Sequence, residues 1–343
     1  MNQFALPAAP NLDASAMEAA RRRWATRAKP PGALGRLEEV AVHLAGITGQ
    51  CPPPVPNKPA VLLFAGDHGV VDDGVSAWPA EITAAMVHTI SGGGAAINAF
   101  AQTIGATVTV VDVGVKTPIG PLPNVRNERI RNGTDSLAHG PAMSSAEALA
   151  ALNVGSAIAD EFIDLGADCL IGGDMGIGNT TASAALISAL SNHPAEALTG
   201  PGAGLPSKGL HHKQALIATA VLRAEACPGP LELLAELGGL EIAALAGLYI
   251  AAARRRTPFI VDGVIACAAL CIADALAPGT ATLAVAGHRS AEPAANVALE
   301  HLKLQPLLDL DLRLGEGTGA ALAFPLLRAA TLALTQMADL PSP

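Results

Sequence analysis

Residues 60–67 read AVLLFAGD, a continuous apolar run closed by a glycine and an aspartate. A strand with one wet face alternates apolar and polar residues. This run does not alternate, so both of its faces must be covered. Four further segments have the same form: ATVTVVDVG at 106–114, DCLIGGD at 168–174, PFIVDG at 258–263 and ATLAVAG at 281–287. Helical patterns lie between most of them, at 145–165, 180–190 and 231–254. Buried strands alternating with helices specify an α/β fold, a doubly wound parallel sheet.

The two ends differ. Residues 1–58 are helical in pattern and finish in the proline-rich break QCPPPVPNKP at 50–59, and residues 288–343 are helical again. The expectation is a large α/β domain over residues 59–287. The segments 1–58 and 288–343 then join as a smaller helical domain built from both chain termini.

Composition narrows the function classes. The chain has 343 residues, 50% of them hydrophobic, 15% charged and 3% aromatic, with 35 glycines. A core of small aliphatic residues suits helices packed closely on a sheet, and offers no stacking platform for single strands of nucleic acid. A net charge of −9 without a basic run argues against nucleic acid or an anionic membrane as partner. Residues 258–277 are long enough to span a bilayer, but Asp262, Gly263 and Asp274 interrupt them, so a buried strand and helix are expected. The first residues lack a charged start followed by an apolar stretch, which makes the cytoplasm the expected location. Five cysteines with no CxxC pair read as reduced thiols.

In a doubly wound sheet, ligands bind beyond the C-terminal ends of the strands, and the unusual residues cluster there. GGDMGIGNTTA at 172–182 is a strand, a glycine loop and a helix start carrying Asp174, Gly176, Gly178, Asn179, Thr180 and Thr181. Free N–H groups and the helix dipole make such a loop an anion site. A tight turn capped by Asn179 or Thr180 is the plainer alternative. TGPGAGLP at 199–206, with Gly202, Ala203 and Gly204, precedes a helix carrying Lys208 and Lys213. It is a phosphate clamp or a linker. Asp67, His68 and Asp72 invite a metal reading, but neighbours on one loop rarely converge on an ion. Arg21, Arg22 and Arg23 read as a solvated helix face. In RLGEGTGAALAFP at 313–325, Glu316 stands between two glycines. It is either a charge favoured by the helix start or a general base with room for a flat ligand.

Taken in order, these motifs resemble the nicotinate-nucleotide:dimethylbenzimidazole phosphoribosyltransferase family. The resemblance spans almost the whole chain. It rests on KPPGALGRLE at Lys29, DHGV at Asp67, GPAMS at Gly140, MGIGNTTA at Met175, the GPGAGL loop, LGGLEIAALAG at Leu237, IVDG at Ile260, SAE at Ser290 and RLGEGTGAALA at Arg313. It implies a six-stranded parallel sheet, a homodimer, and transfer of phosphoribose from nicotinate mononucleotide to a benzimidazole-type base. No metal or other cofactor is implied. Glu316 corresponds to the catalytic glutamate. Asp174 stands where the family often has Glu. The loops at Gly176–Thr181 and Gly202–Gly204, with Lys213 and Ser290, hold nucleotide and nicotinate, and Trp78, Met86, Leu314 and Gly315 wall the base pocket. A nucleotide-binding oxidoreductase and a non-catalytic nucleotide or base carrier are the alternatives. The absence of G-x-G-x-x-G after the first strand argues against the former, and the framed glutamate against the latter.

Overall fold

A computed structural model describes residues 6–202 and 204–340. The strands are β1 (Pro59–Gly66), β2 (Thr107–Gly114), β3 (Val125–Asn127), β4 (Cys169–Met175), β5 (Phe259–Val261), β6 (Ala284–Ala286), β7 (His288–Arg289) and β8 (Leu308–Asp309). The first six form one parallel sheet in the order β3-β2-β1-β4-β5-β6, and β7 pairs with β8. The chain begins at the centre, winds outward through β2 and β3, then returns to build the other half. The point of reversal lies between β1 and β4. Every residue of β1 is buried, as its unbroken apolar run requires. The sixth strand, β3, has no apolar run. Its three residues lie at the sheet edge, partly exposed, and only pairing with β2 makes them a strand.

The helices are α1 (Ala14–Thr26), α2 (Arg36–Thr48), α3 (Glu81–Ser91), α4 (Ala96–Thr103), α5 (Ser145–Asp164), α6 (Asn179–Ser191), α7 (Ala195–Leu198), α8 (Ser207–Ala224), α9 (Pro230–Leu237), α10 (Leu240–Arg254), α11 (Val264–Leu276), α12 (Pro293–His301) and α13 (Thr318–Gln336). A capping box starts α5: Ser144 Oγ accepts the Glu147 N–H, and Glu147 accepts the Ser144 N–H. The helical pattern at 231–254 is two helices, not one. Gly238 and Gly239 are extended there, and a side chain on Gly239 would strike His68 at 2.3 Å. The break makes room for a buried ion pair described below.

Helices α5 and α10 touch backbone to backbone. A Cβ on Gly155 would lie 1.7 Å from the Ala244 carbonyl oxygen, and one on Gly247 would lie 2.0 Å from that of Leu152. Near the termini, α13 packs against α1, α2, α4 and strands β4 and β5, while α12 packs against α6 and α11. Arg23 is not simply solvated: it donates to the carbonyls of Leu334 and Thr335 in the last turn of α13, where a cation is favoured. Residues 258–277 are strand β5 and buried helix α11. Among the described residues, α13 alone is long and apolar enough to cross a membrane, and more than half of it is buried within the fold.

Substitution of Gly155 by Ala should force α5 and α10 apart. The expected loss is about 1–3 kcal/mol of stability, the usual scale of overpacking. Urea unfolding of the wild type and Gly155→Ala measures it; an unchanged midpoint would show that the helices yield without cost.

Candidate active site

A crevice of about 520 Å³ opens beyond the C-terminal ends of β4, β5 and β6. The loop after β4 forms one wall. Gly176 lies against β1, where a Cβ would meet the Gly66 carbonyl at 2.3 Å. Gly178, at φ 93°, starts α6 and carries no capping side chain. Asn179 and Thr180 are therefore not caps. The Asn179 amide donates to Asp174 at 3.0 Å, and the Thr180 hydroxyl accepts from Lys213 Nζ at 2.9 Å. Thr181 is fully buried behind them.

Lys213 approaches this wall from α8 without reaching the crevice surface. Nζ also donates to the Gly200 carbonyl at 3.3 Å, and the side chain is almost fully buried. Burial lowers its pKa to about 8, with Glu292 opposing that shift. Gly202 lines the crevice beside Thr180. Gly204 is exposed and lies away from it, as does Lys208. Ala203 lies outside the described residues. Ser290 lines the opposite wall together with Gly263 and His288.

The segment after β8 closes the crevice. Leu314 and Gly315 line it, and Gly315, Glu316 and Gly317 all have positive φ, at 85°, 63° and 86°. Glycine adopts this geometry freely, whereas a glutamate is strained by roughly 1–3 kcal/mol. The turn sits on bare backbone: a Cβ on Gly173 of β4 would strike the Glu316 carbonyl at 2.5 Å. Glu316 is 3% exposed. Its carboxylate accepts the Ile97 N–H at 3.4 Å, in the first turn of α4. Burial raises its pKa, the Ile97 hydrogen bond opposes that, and the nearby Asp262 adds to it. Glu316 is thus a helix-start charge for α4. Its own helix, α13, is held by Asp262, which accepts from Gly317 N at 3.2 Å and Ala320 N at 2.9 Å.

Asp174 is buried at the crevice floor. Burial first, then the charges of Asp262, Glu241 and Glu316, raise its pKa well above the usual carboxylate range. Several buried acids therefore share this end of the sheet. Glu241 pairs with His68 at 2.5 Å, both shielded from solvent. Burial alone would lower the His68 pKa, but Glu241 and Asp67 outweigh it and raise it. Asp67 accepts the Lys116 N–H instead of turning towards His68's partner. The DHGV loop is therefore a buried ion-pair anchor. Among the described residues no group of three or more His, Cys, Asp or Glu is placed to hold a metal ion.

The base-pocket expectation divides. Leu314 and Gly315 line the crevice; Trp78 and Met86 do not. Trp78 is 52% exposed on a separate shallow depression with Val71, Asp72 and Lys116. Proline at position 79 and the turn before α3 carry it outward, whereas Thr83 on the same helix reaches the Ile177 N–H. Glu241, Asp262, His288 and Glu292 were not singled out by pattern. Their signal was their place in strand-end motifs, and only the fold shows that these ends converge.

A sequence model of a phosphoribosyltransferase family matches residues 9–342. The chain belongs to this family. The nicotinate-nucleotide--dimethylbenzimidazole phosphoribosyltransferase of Chloroflexus aurantiacus is 48% identical over 328 residues, 95% of this chain and 93% of the relative. The enzyme of the same name from Salinispora tropica is 47% identical over 346 residues, 96% of this chain and 95% of the relative. The crystal structure of a nicotinate-nucleotide-dimethylbenzimidazole phosphoribosyltransferase from Thermus thermophilus superposes with a TM-score of 0.91 at 46% identity, covering 96% of this chain and 97% of that one.

Removing one partner of the His68–Glu241 pair strands a buried charge, so Glu241→Gln should cost about 3–5 kcal/mol near pH 6. A raised folded pKa means that the His68 contribution is complete below its unfolded value of about 6.5 and is lost as pH rises through the folded value. The stability gap between wild type and Glu241→Gln should therefore narrow as the pH is raised from about 6.5. Urea unfolding across pH measures this; a constant gap would mean that His68 is neutral in the pair.

Proposed function

We propose that this chain transfers the phosphoribosyl group of nicotinate mononucleotide to dimethylbenzimidazole or a related base. The products are α-ribazole 5′-phosphate and nicotinate. Full-length membership of the family supports the reaction class. The observation that carries the mechanism is Glu316, a buried carboxylate held in a strained turn between two glycines, next along the chain to Gly315 on the crevice wall. Strain in a non-glycine residue persists where the surroundings enforce it, and such positions concentrate at functional sites.

The chemistry follows from the groups. Nicotinate in its mononucleotide is a pyridinium. When its bond to the anomeric carbon breaks, the electron pair returns to the ring nitrogen and neutralises it. Benzimidazole has one lone-pair nitrogen and one N–H. The lone pair forms the new bond to carbon, and Glu316 takes the N–H proton as the second nitrogen becomes the basic one. Attack opposite the leaving group inverts the centre, converting a β linkage to an α one. Glu316 Oε2 faces the Ile97 N–H, which leaves Oε1 to receive the proton. Its raised pKa makes it a stronger base than an ordinary glutamate. Asp174 supports this wall through Asn179. Thr180, Gly202 and Lys213 form the subsite for the phosphate, whose contacts fix the ribose and free the reacting centre to be aligned. The same reading makes the working form a homodimer in the cytoplasm.

Incubating the protein with nicotinate mononucleotide and a panel of benzimidazoles, with products identified by mass, tests the reaction; no ribotide product from any base would reject it. Glu316→Gln keeps size and hydrogen bonding but cannot take the proton, so kcat should fall about 10²–10⁴-fold with little change in substrate binding. Asp174→Asn should cost less. In the wild type the acid limb of kcat should lie above the usual glutamate value of about 4.3. Turnover near wild type in Glu316→Gln would leave that side chain only its role at α4.

Lys213→Ala removes a charge-assisted contact of about 1.5–3 kcal/mol, so the KM for the nucleotide should rise roughly 10–100-fold. The KM for the base should hardly move. Steady-state kinetics with each substrate varied in turn decides it, and equal effects on both would place the phosphate elsewhere.

A further inference from the structure

The SAE segment ends in a carboxylate that the mechanism above does not use. Glu292 is 6% exposed and lines the crevice wall beside Gly202. Its backbone N–H approaches Ser290 Oγ at 3.3 Å, and Pro293, which has no N–H, follows it as the first residue of α12. The side chain does not turn back to cap that helix. It reaches across to the glycine loop, where Oε2 presses on Gly200 so closely that a Cβ there would lie 2.1 Å away. The Gly202 backbone N–H favours the ionised form of the same carboxylate, against the effect of burial. Gly202 in turn backs onto Thr180 and Lys213: a Cβ on it would lie 2.7 Å from Thr180 Oγ1 and 3.4 Å from Lys213 Nζ. The Glu292 carboxylate and the Lys213 ammonium therefore both face this glycine loop, and each feels the other's charge without a direct ion pair.

We infer that Glu292 is the resident anion of the phosphate subsite in the substrate-free enzyme, and that it sets how strongly a phosphorylated donor is preferred over an unphosphorylated one. The inference rests on the reading of Thr180, Gly202 and Lys213 as that subsite. A buried ammonium needs a counter-charge when the site is empty. Glu292 supplies it. The nucleotide's phosphate brings more charge and more acceptor oxygens to the same donors, so it displaces the carboxylate. A nucleoside offers them nothing, and Glu292 stays. Its charge thus weakens binding of the phosphorylated donor, which must displace it, and leaves the nucleoside unaffected, so it narrows the difference of affinities between the two.

Titration calorimetry with inorganic phosphate tests this on the wild type, Glu292→Gln and Lys213→Ala. An assay at about pH 6.5 lies below the lowered value for Lys213 and keeps that ammonium charged. Glu292→Gln should bind phosphate on the order of tenfold more tightly, the scale expected for removing one like charge from a hydrated site. In steady state it should lower the KM for nicotinate mononucleotide, leave that for dimethylbenzimidazole unchanged, and lower kcat/KM for nicotinate riboside relative to the mononucleotide. The shorter Glu292→Asp withdraws its carboxylate from Gly202 but keeps the charge. It should shift phosphate affinity in the same direction by less, and it serves if the glutamine variant does not fold. Unchanged or weaker phosphate binding in Glu292→Gln, with Lys213→Ala weakened as expected, overturns the role of Glu292 and leaves the subsite standing. Unchanged binding in Lys213→Ala removes the subsite, and the inference with it.

Discussion

The Asp262 carboxylate, at the end of β5, accepts the N–H groups of Gly317 and Ala320 and so fastens the start of α13 to the sheet. Much of the site depends on that attachment. With α13 anchored there, the turn before it must lie on β4, where Gly173 leaves bare backbone to receive it. Positive φ at Gly315, Glu316 and Gly317 follows from this close approach. Glu316 is then forced inward, towards α4, rather than out into solvent. The anchor is itself a buried charge. It is tolerable because two backbone donors and the nearby His288 imidazole, 3.5 Å away, offset its desolvation.

The same economy recurs along the crevice. Each strand of the central sheet that reaches this end contributes a buried polar group, and each group finds a different partner. Asp67 takes the Lys116 N–H, Asp174 takes the Asn179 amide, and His68 takes Glu241 across the Gly238–Gly239 break. Burial, and then the nearness of the acids to one another, raises their pKa values where a base is to work. Glycines make this possible more than any charged residue does. They let loops, strands and helices approach until no side chain would fit, so that fixed N–H groups, rather than mobile side chains, line the site.

Much of this was legible in the chain itself. The strands announced themselves because burial on both faces demands unbroken apolar runs. GNTT could be placed at a strand end because glycine clusters punctuate such runs, and LGEG at a turn into a helix. Strand β3 was not legible, since three partly exposed edge residues carry no pattern of their own. The break between α9 and α10 was hidden because helix-forming residues flank it, and its cause is His68, far away in sequence. Trp78 looked like a pocket wall by analogy, but its exposure depends on how α3 is entered.

What the sequence determined by itself is the class of sheet, the identity of the family and the residue types available for the chemistry, because these depend on local periodicity and on motifs in order. What only the tertiary structure decided is which polar group meets which. Asp262, not Glu316, holds α13; Glu316 reaches α4; Lys213 stands behind Thr180; and Glu292 enters the glycine loop. Those partners lie far apart along the chain. Their pairing follows from the need of each buried polar group to find a hydrogen bond, a condition set by the packed whole and by no local stretch.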